Sequence, residues 1–294
     1  MTELFQQIIN SLSLGSIYAL IALGYTMVYG IIKLINFAHG EIYMLGAYTG
    51  YFAMAHFHLN FFAALLLAMM FCTVLGVTIE RIAYRPLRNS TRLAALITAI
   101  GVSLFLQYTT MYFVGADSRA YPALPGFMTG SFNVGGVLIR NSQVVIVGVS
   151  VLLMVVLQFI VRKTKMGKAM RAVSQDPDAA RMMGISVDRT ISFTFAIGSA
   201  LAGAAGVLVG VYYNTINPLM GVLPGLKAFV AAVFGGIGII PGALIGAYFI
   251  GGVETLVSAL GYSLYRDGVV FAILIIMLIV KPTGLLGKNV REKV

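Results

Sequence analysis

Nine apolar runs separated by short polar breaks make up most of this 294-residue chain. They fall at about Leu12–Ile32, Ile42–His56, Phe61–Ile82, Leu93–Val114, Val144–Val161, Thr190–Tyr213, Leu226–Ile240, Ala243–Leu260 and Gly268–Val280. A helix needs roughly 20 apolar residues to cross a bilayer, and the runs are of that order. The pattern predicts an all-α polytopic membrane protein of eight to nine transmembrane helices, with residues 1–294 forming one transmembrane domain.

The polar positions orient it. Fifteen of the twenty Lys and Arg residues sit in three stretches, Arg81–Arg92, Arg162–Arg189 and Lys281–Val294. Short basic loops stay on the cytoplasmic side of a membrane. The loops at Arg81–Arg92 and Arg162–Arg189 and the C-terminus are therefore expected there, with Gly115–Arg140 and the N-terminus on the opposite side. The net charge of +10 is then a topology signal and not the footprint of nucleic acid. Composition agrees: 59% of residues are hydrophobic and 10% charged, against about a quarter charged in soluble domains. Glycine, at 33 residues, suits close helix packing in lipid; Gly206 and Gly210 form a Gly-x-x-x-Gly pair. Cys72, the single cysteine, lies in an apolar run and is expected to pack there. The start of the chain lacks the basic region of a cleaved signal peptide, so the first run is expected to remain as a helix.

Two breaks admit two readings. Lys33–Glu41 carries Asn36, His39, Gly40 and Glu41, and Gly235–Gly242 is rich in Gly with Pro241. Each can be a tight cytoplasmic turn. Each can also be non-helical backbone at membrane depth, which survives only against protein or a water-filled cavity. Leu45-Gly-Ala-Tyr48 and Ile245-Gly-Ala-Tyr248 follow the two breaks, but four residues do not establish a repeat. In the 115–140 loop, Asn133-Val-Gly-Gly136 before Val137-Leu-Ile139 predicts a small hairpin.

The 162–189 loop contains a compact helix signal. Asp176 can cap a helix whose first residue is Pro177. Asp178 sits in its first turn, where the helix dipole favours an anion, and Gly184 can supply the left-handed residue after its end. A helix over about Pro177–Met183 is expected to present Ala179, Ala180 and Met183, with Asp188 capping the next span. Asp178-Ala-Ala180, then Gly184 after three residues, resembles the Glu-Ala-Ala-x-x-x-Gly coupling loop of ABC importer permeases, with Asp in the Glu position. The Ile-x-Leu-Pro continuation of the maltose-type permeases is missing. Asn36-Phe-Ala-His-Gly-Glu41, Ile79–Arg88, Ala228–Gly238 and Lys281–Gly287 resemble the LivH-type permeases of branched-chain amino-acid importers, and the resemblance runs nearly end to end.

That resemblance implies a bacterial inner-membrane permease moving Leu, Ile and Val, powered by two cytoplasmic ATP-binding subunits. It also implies a homologous LivM-type permease partner and a periplasmic amino-acid-binding protein. Asp178, Ala179, Ala180 and Gly184 become the coupling contact. No nucleophile elbow, metal-ligand spacing or phosphate-binding loop is present in the sequence, so no enzyme activity, metal or cofactor is expected. Asn36, His39, Glu41 and Glu254, together with Lys227, are candidates for the pathway or an interface, because ionisable groups at membrane depth are costly. Three competitors are an ABC permease for urea or short amides, a proton-coupled amino-acid transporter using Glu41 or Glu254, and a passive channel. Neither of the last two explains the Asp-Ala-Ala-x-x-x-Gly loop.

Overall fold

The computed structural model describes residues 2–88 and 90–287. Lys288, Arg291 and Lys293, part of the C-terminal basic stretch, lie outside the described residues. The helices in chain order are α1 (Thr2–Ile32), α2 (His39–Ala55), α3 (Phe61–Ile79), α4 (Arg92–Val114), α5 (Gly126–Thr129) and α6 (Asn141–Lys163). They continue with α7 (Lys165–Gln175), α8 (Pro177–Met182), α9 (Val187–Tyr213), α10 (Val222–Gly235), α11 (Ile240–Ala259) and α12 (Arg266–Val280). Two small antiparallel ribbons pair β1 (Arg119–Ala120) with β4 (Thr215–Ile216) and β2 (Ser131–Val134) with β3 (Val137–Arg140). The second ribbon is the expected hairpin, turned by Gly135 and Gly136 at φ +61° and +89°.

Among the described residues, seven helices are long and apolar enough to cross a membrane: α1, α3, α4, α6, α9, α11 and α12. With α2, of 17 residues, and α10, of 14, they account for all nine apolar runs. α1 and α9 are buried along most of their length and form the centre of the bundle. Glycine lets their neighbours approach. A Cβ on Gly46 of α2 would lie 2.5 Å from the Cα of Gly203 on α9, and Gly24 of α1 faces Gly198 of α9. Gly206 packs against the backbone of α2, whereas Gly210 packs against Tyr121 of the 115–140 loop. Cys72 is buried and donates its thiol to the Ile42 carbonyl at 3.4 Å.

The basic loops collect at one end of the bundle. Arg85 and Arg88 both pair with Asp188, and the Leu285 amide donates to Phe234 O at 2.8 Å. At the other end Gln6 exchanges two hydrogen bonds with the Leu138 backbone, at 3.0 and 2.9 Å. α4, α6 and α12 turn large apolar side chains outward, among them Phe105, Phe159 and Ile279.

The two ambiguous breaks resolve differently. Gly235–Gly242 is a tight turn, with Gly236 and Gly238 at φ +109° and +91°. In the other break, Lys33 ends α1 in the left-handed region (φ 55°). The chain then turns back into the bundle, with Asn36 and Ala38 buried, before α2 starts. His39 reaches Gly24, about 12 Å along α1 from its Ile32 end at 1.5 Å per residue. A second such return follows α9, where Asn214 and Asn217-Pro218 are turn residues that the reading of the apolar runs did not use. Asn214 ends α9, also left-handed (φ 54°), and the chain dips inward to begin α10 at Val222. The run placed at Leu226–Ile240 is therefore a short helix starting inside the bundle.

Candidate functional site

The sequence-predicted residues form separate groups. The first is α8, at the basic end. Asp176 caps it, its carboxylate accepting from the amides of Asp178 (2.9 Å) and Ala179 (3.0 Å). Gly184 lies at φ +80° after its end, and Asp178 pairs with Arg181 at 3.2 Å on the open surface. Ala179 is exposed. Ala180 departs from expectation: it is 4% exposed and faces its own bundle. Every other residue of α8 is exposed, and Met182, its last residue, and Met183, just past its end, stand far out. Asp188 is not the cap of α9. Ser186 holds that position, without a side-chain cap, because Arg85 and Arg88 draw Asp188 into ion pairs. The amphipathic α7, which precedes α8, was not singled out in the sequence.

The interior polar groups are partnered unequally. Glu254 accepts from Lys227 Nζ (2.8 Å) and Tyr18 Oη (2.7 Å), with Arg266 Nε at 3.5 Å. Lys227 also lies 2.6 Å from Asp267. This cluster ties α1, α10, α11 and α12 together. Glu80, which sequence reasoning passed over among the cytoplasmic arginines, is fully buried and paired with Arg88, and it accepts from Ser192 Oγ at 2.6 Å. Its spacing of eight residues from Arg88 was the available clue. Asn36 accepts from Tyr84 Oη at 2.8 Å.

Glu41 and His39 stand apart. Each is 1% exposed. His39 meets the Tyr25 ring edge-on, centroids 4.7 Å apart. Glu41 accepts only a long 3.4 Å hydrogen bond from Ser103 Oγ, while its Oε2 and His39 Nε2 have no partner among the described residues. Ser103 is the middle residue of α4, which places Glu41 at mid-depth. Its carboxylate faces Gly221 at the start of α10, where a Cβ would stand 2.6 Å from Oε2. Two helix N-termini thus converge on one carboxylate. A cavity of about 180 Å³ opens beside it, lined by Tyr25, Glu41, Ser103, Gln107 and Gly221 among others. Glu254 takes no part in this cavity.

Comparison with known proteins places these features in a family. The family described as branched-chain amino acid transport system / permease component matches residues 7–278. LivH, the high-affinity branched-chain amino acid transport system permease protein of Salmonella typhimurium, is 47% identical over 98% of this chain and 97% of its own. BraD of Pseudomonas aeruginosa, the corresponding permease protein there, is 44% identical over 98% of this chain and 97% of its own. The ribose import permease RbsC of Haemophilus influenzae is 28% identical over 92% of this chain and 83% of its own. Among solved structures, PsaBC from Streptococcus pneumoniae in complex with Fab superposes with a TM-score of 0.51, covering 96% of this chain and 93% of that one. At 11% identity that likeness speaks to fold alone. With seven helices able to cross a membrane, this multi-pass membrane protein belongs to the family of branched-chain amino acid transport system permease components.

Proposed function

We propose that the chain is the transmembrane permease of an ATP-driven, binding-protein-dependent importer of leucine, isoleucine and valine in the bacterial inner membrane. It works with a homologous permease, two cytoplasmic ATP-binding subunits and an external amino-acid-binding protein. The basic end faces the cytoplasm, as short basic loops do, and the 115–140 segment faces the binding protein. The outward apolar faces of α4, α6 and α12 meet lipid or the partner permease. Asn36, His39 and Glu41 lie on the pathway side, whereas Glu254 holds helices together.

The observation that carries this reading is α8. It is capped at both ends and stands at the basic end with Met182 and Met183 at 84% and 82% exposure. A two-turn helix is marginal in water on its own. Here Asp176, Gly184 and the buried Ala180 fix it as a rigid knob able to seat in a cleft of an ATPase.

The test is a pair of variants in the reconstituted complex. Met183→Glu alters only the exposed tip, and Gly184→Val imposes a β-branched side chain on a left-handed backbone. Both are expected to insert and assemble, yet to lose substrate-stimulated ATP hydrolysis and uptake. Normal coupling in both variants would refute the role. Uptake driven by an ion gradient without ATP would instead mark a proton-coupled transporter. Labels at Lys168 are expected to be protected in right-side-out cells and labels at Gly126 accessible, and the reverse would overturn the orientation.

A further inference from the structure

The Glu41 cavity has features that a mere crossing helix does not require. A buried, ionisable carboxylate is costly unless paired; Oε2 of Glu41 has no partner among the described residues, and the residue lines a cavity. Capping does not account for it. A capping carboxylate accepts from main-chain amides, as Asp176 does in α8, whereas Oε2 of Glu41 accepts from none. The N-terminus of α10 likewise lacks a side-chain cap. Gln107 sits one helical turn beyond Ser103 on the same face of α4 and lines the same space. An unpartnered carboxyl oxygen, an amide donor and a helix N-terminus without a side-chain cap therefore surround one small cavity.

We propose that this cavity is an amino-acid station within the permease. The Glu41 carboxylate receives the α-ammonium group, and the Gln107 amide with the N-terminus of α10 receives the α-carboxylate. The proposal rests on the importer reading above and adds the chemistry that the chain itself recognises. Charge fits. A zwitterion supplies one positive group for Glu41, in a charge-assisted hydrogen bond, and one negative group for a positive helix end. Urea and short neutral amides supply neither. The size fits as well: about 180 Å³ falls below the roughly 300 Å³ at which drug-sized pockets begin. Tyr25, Leu104 and Leu226 on the wall suit an aliphatic side chain without a shape that selects one. A larger apolar cavity of about 340 Å³ lies between α2, α3 and α4, beside the same two helices towards the 115–140 end, where a substrate from outside would arrive.

The test uses the intact permease–ATPase complex in nanodiscs without binding protein, with ligand contact read by saturation-transfer NMR. Leucine is compared with leucine methyl ester, which lacks the carboxylate, with 4-methylpentanoate, which lacks the ammonium group, and with urea. On the unaltered complex, leucine is expected to bind about tenfold or more tightly than either analogue, the scale of one charged hydrogen bond, and urea not at all. Glu41→Gln is expected to weaken leucine about tenfold and to erase its advantage over 4-methylpentanoate. Gln107→Leu is expected to erase its advantage over the methyl ester. The proposal falls if 4-methylpentanoate matches leucine on the unaltered complex, if leucine does not bind it, or if Glu41→Gln keeps the original ranking. Should Glu41→Gln fail to assemble, the ranking on the unaltered complex together with Gln107→Leu decides. Uptake by the same complex with a loaded binding protein and ATP separates the two readings: no leucine import sinks the importer, whereas import without the ranking sinks only the station.

Discussion

Glu41 and Glu254 look alike in the sequence and differ in everything around them. Glu254 lies inside a glycine-rich apolar run and Glu41 at the edge of another, and both are 1% exposed. Glu254 meets Lys227, Tyr18 and Arg266 and so neutralises itself within the chain. Glu41 meets one distant serine and a cavity. The lesson is that depth alone does not mark a functional charge. The partners differ: Glu254 is satisfied within the chain, whereas Oε2 of Glu41 has no partner among the described residues. Of the two, Glu254 offered the stronger sequence argument for burial and is the one with partners inside the chain.

The comparison can be broken by stability measurements on the purified permease in detergent or nanodiscs. Lys227→Met removes the main partner of Glu254 and leaves it with the Tyr18 hydroxyl and Arg266 at 3.5 Å. Unfolding is expected to become easier by about 3–5 kcal/mol, and Lys227→Met with Glu254→Leu should recover most of it. A single variant of unchanged stability would show that the cluster holds nothing together. Tyr18→Phe deletes one hydrogen bond to the charged group and is expected to cost roughly 1.5–3 kcal/mol in the same assay. Glu41→Gln removes only a long hydrogen bond, so its stability is expected to move by less than about 1 kcal/mol. A large loss there would make Glu41 structural and abolish the contrast.

Much of this was legible along the chain, for identifiable reasons. The nine helices follow from run length, since lipid forces every backbone polar group to be satisfied within the helix. The α8 caps followed from local chemistry. Asp176, Pro177 and Gly184 act on neighbours within a few residues, and the structure places all three as their types require. What failed were statements about which way a residue faces. Ala180 turns inward and Asp188 is held by Arg85 and Arg88, because distant elements compete for them. The inward return at 214–221 was missed because Asn214 and Lys33, not glycines, supply its left-handed turn and that of its counterpart.

By itself, then, the sequence determined the membrane class, the run of helices, the shared placement of the basic loops and the capped helix α8. Each depends on hydrophobicity, charge or bonding within a few neighbouring residues. Tertiary structure alone decided that α10 begins inside the bundle against Gly40. It also decided that Lys227 spends its charge on Glu254 and that Glu41 is left facing a cavity with Gln107. Those outcomes depend on contacts between residues up to 236 positions apart, such as Tyr18 and Glu254. Pairings at that range are set by how the helices pack, and no local pattern encodes them.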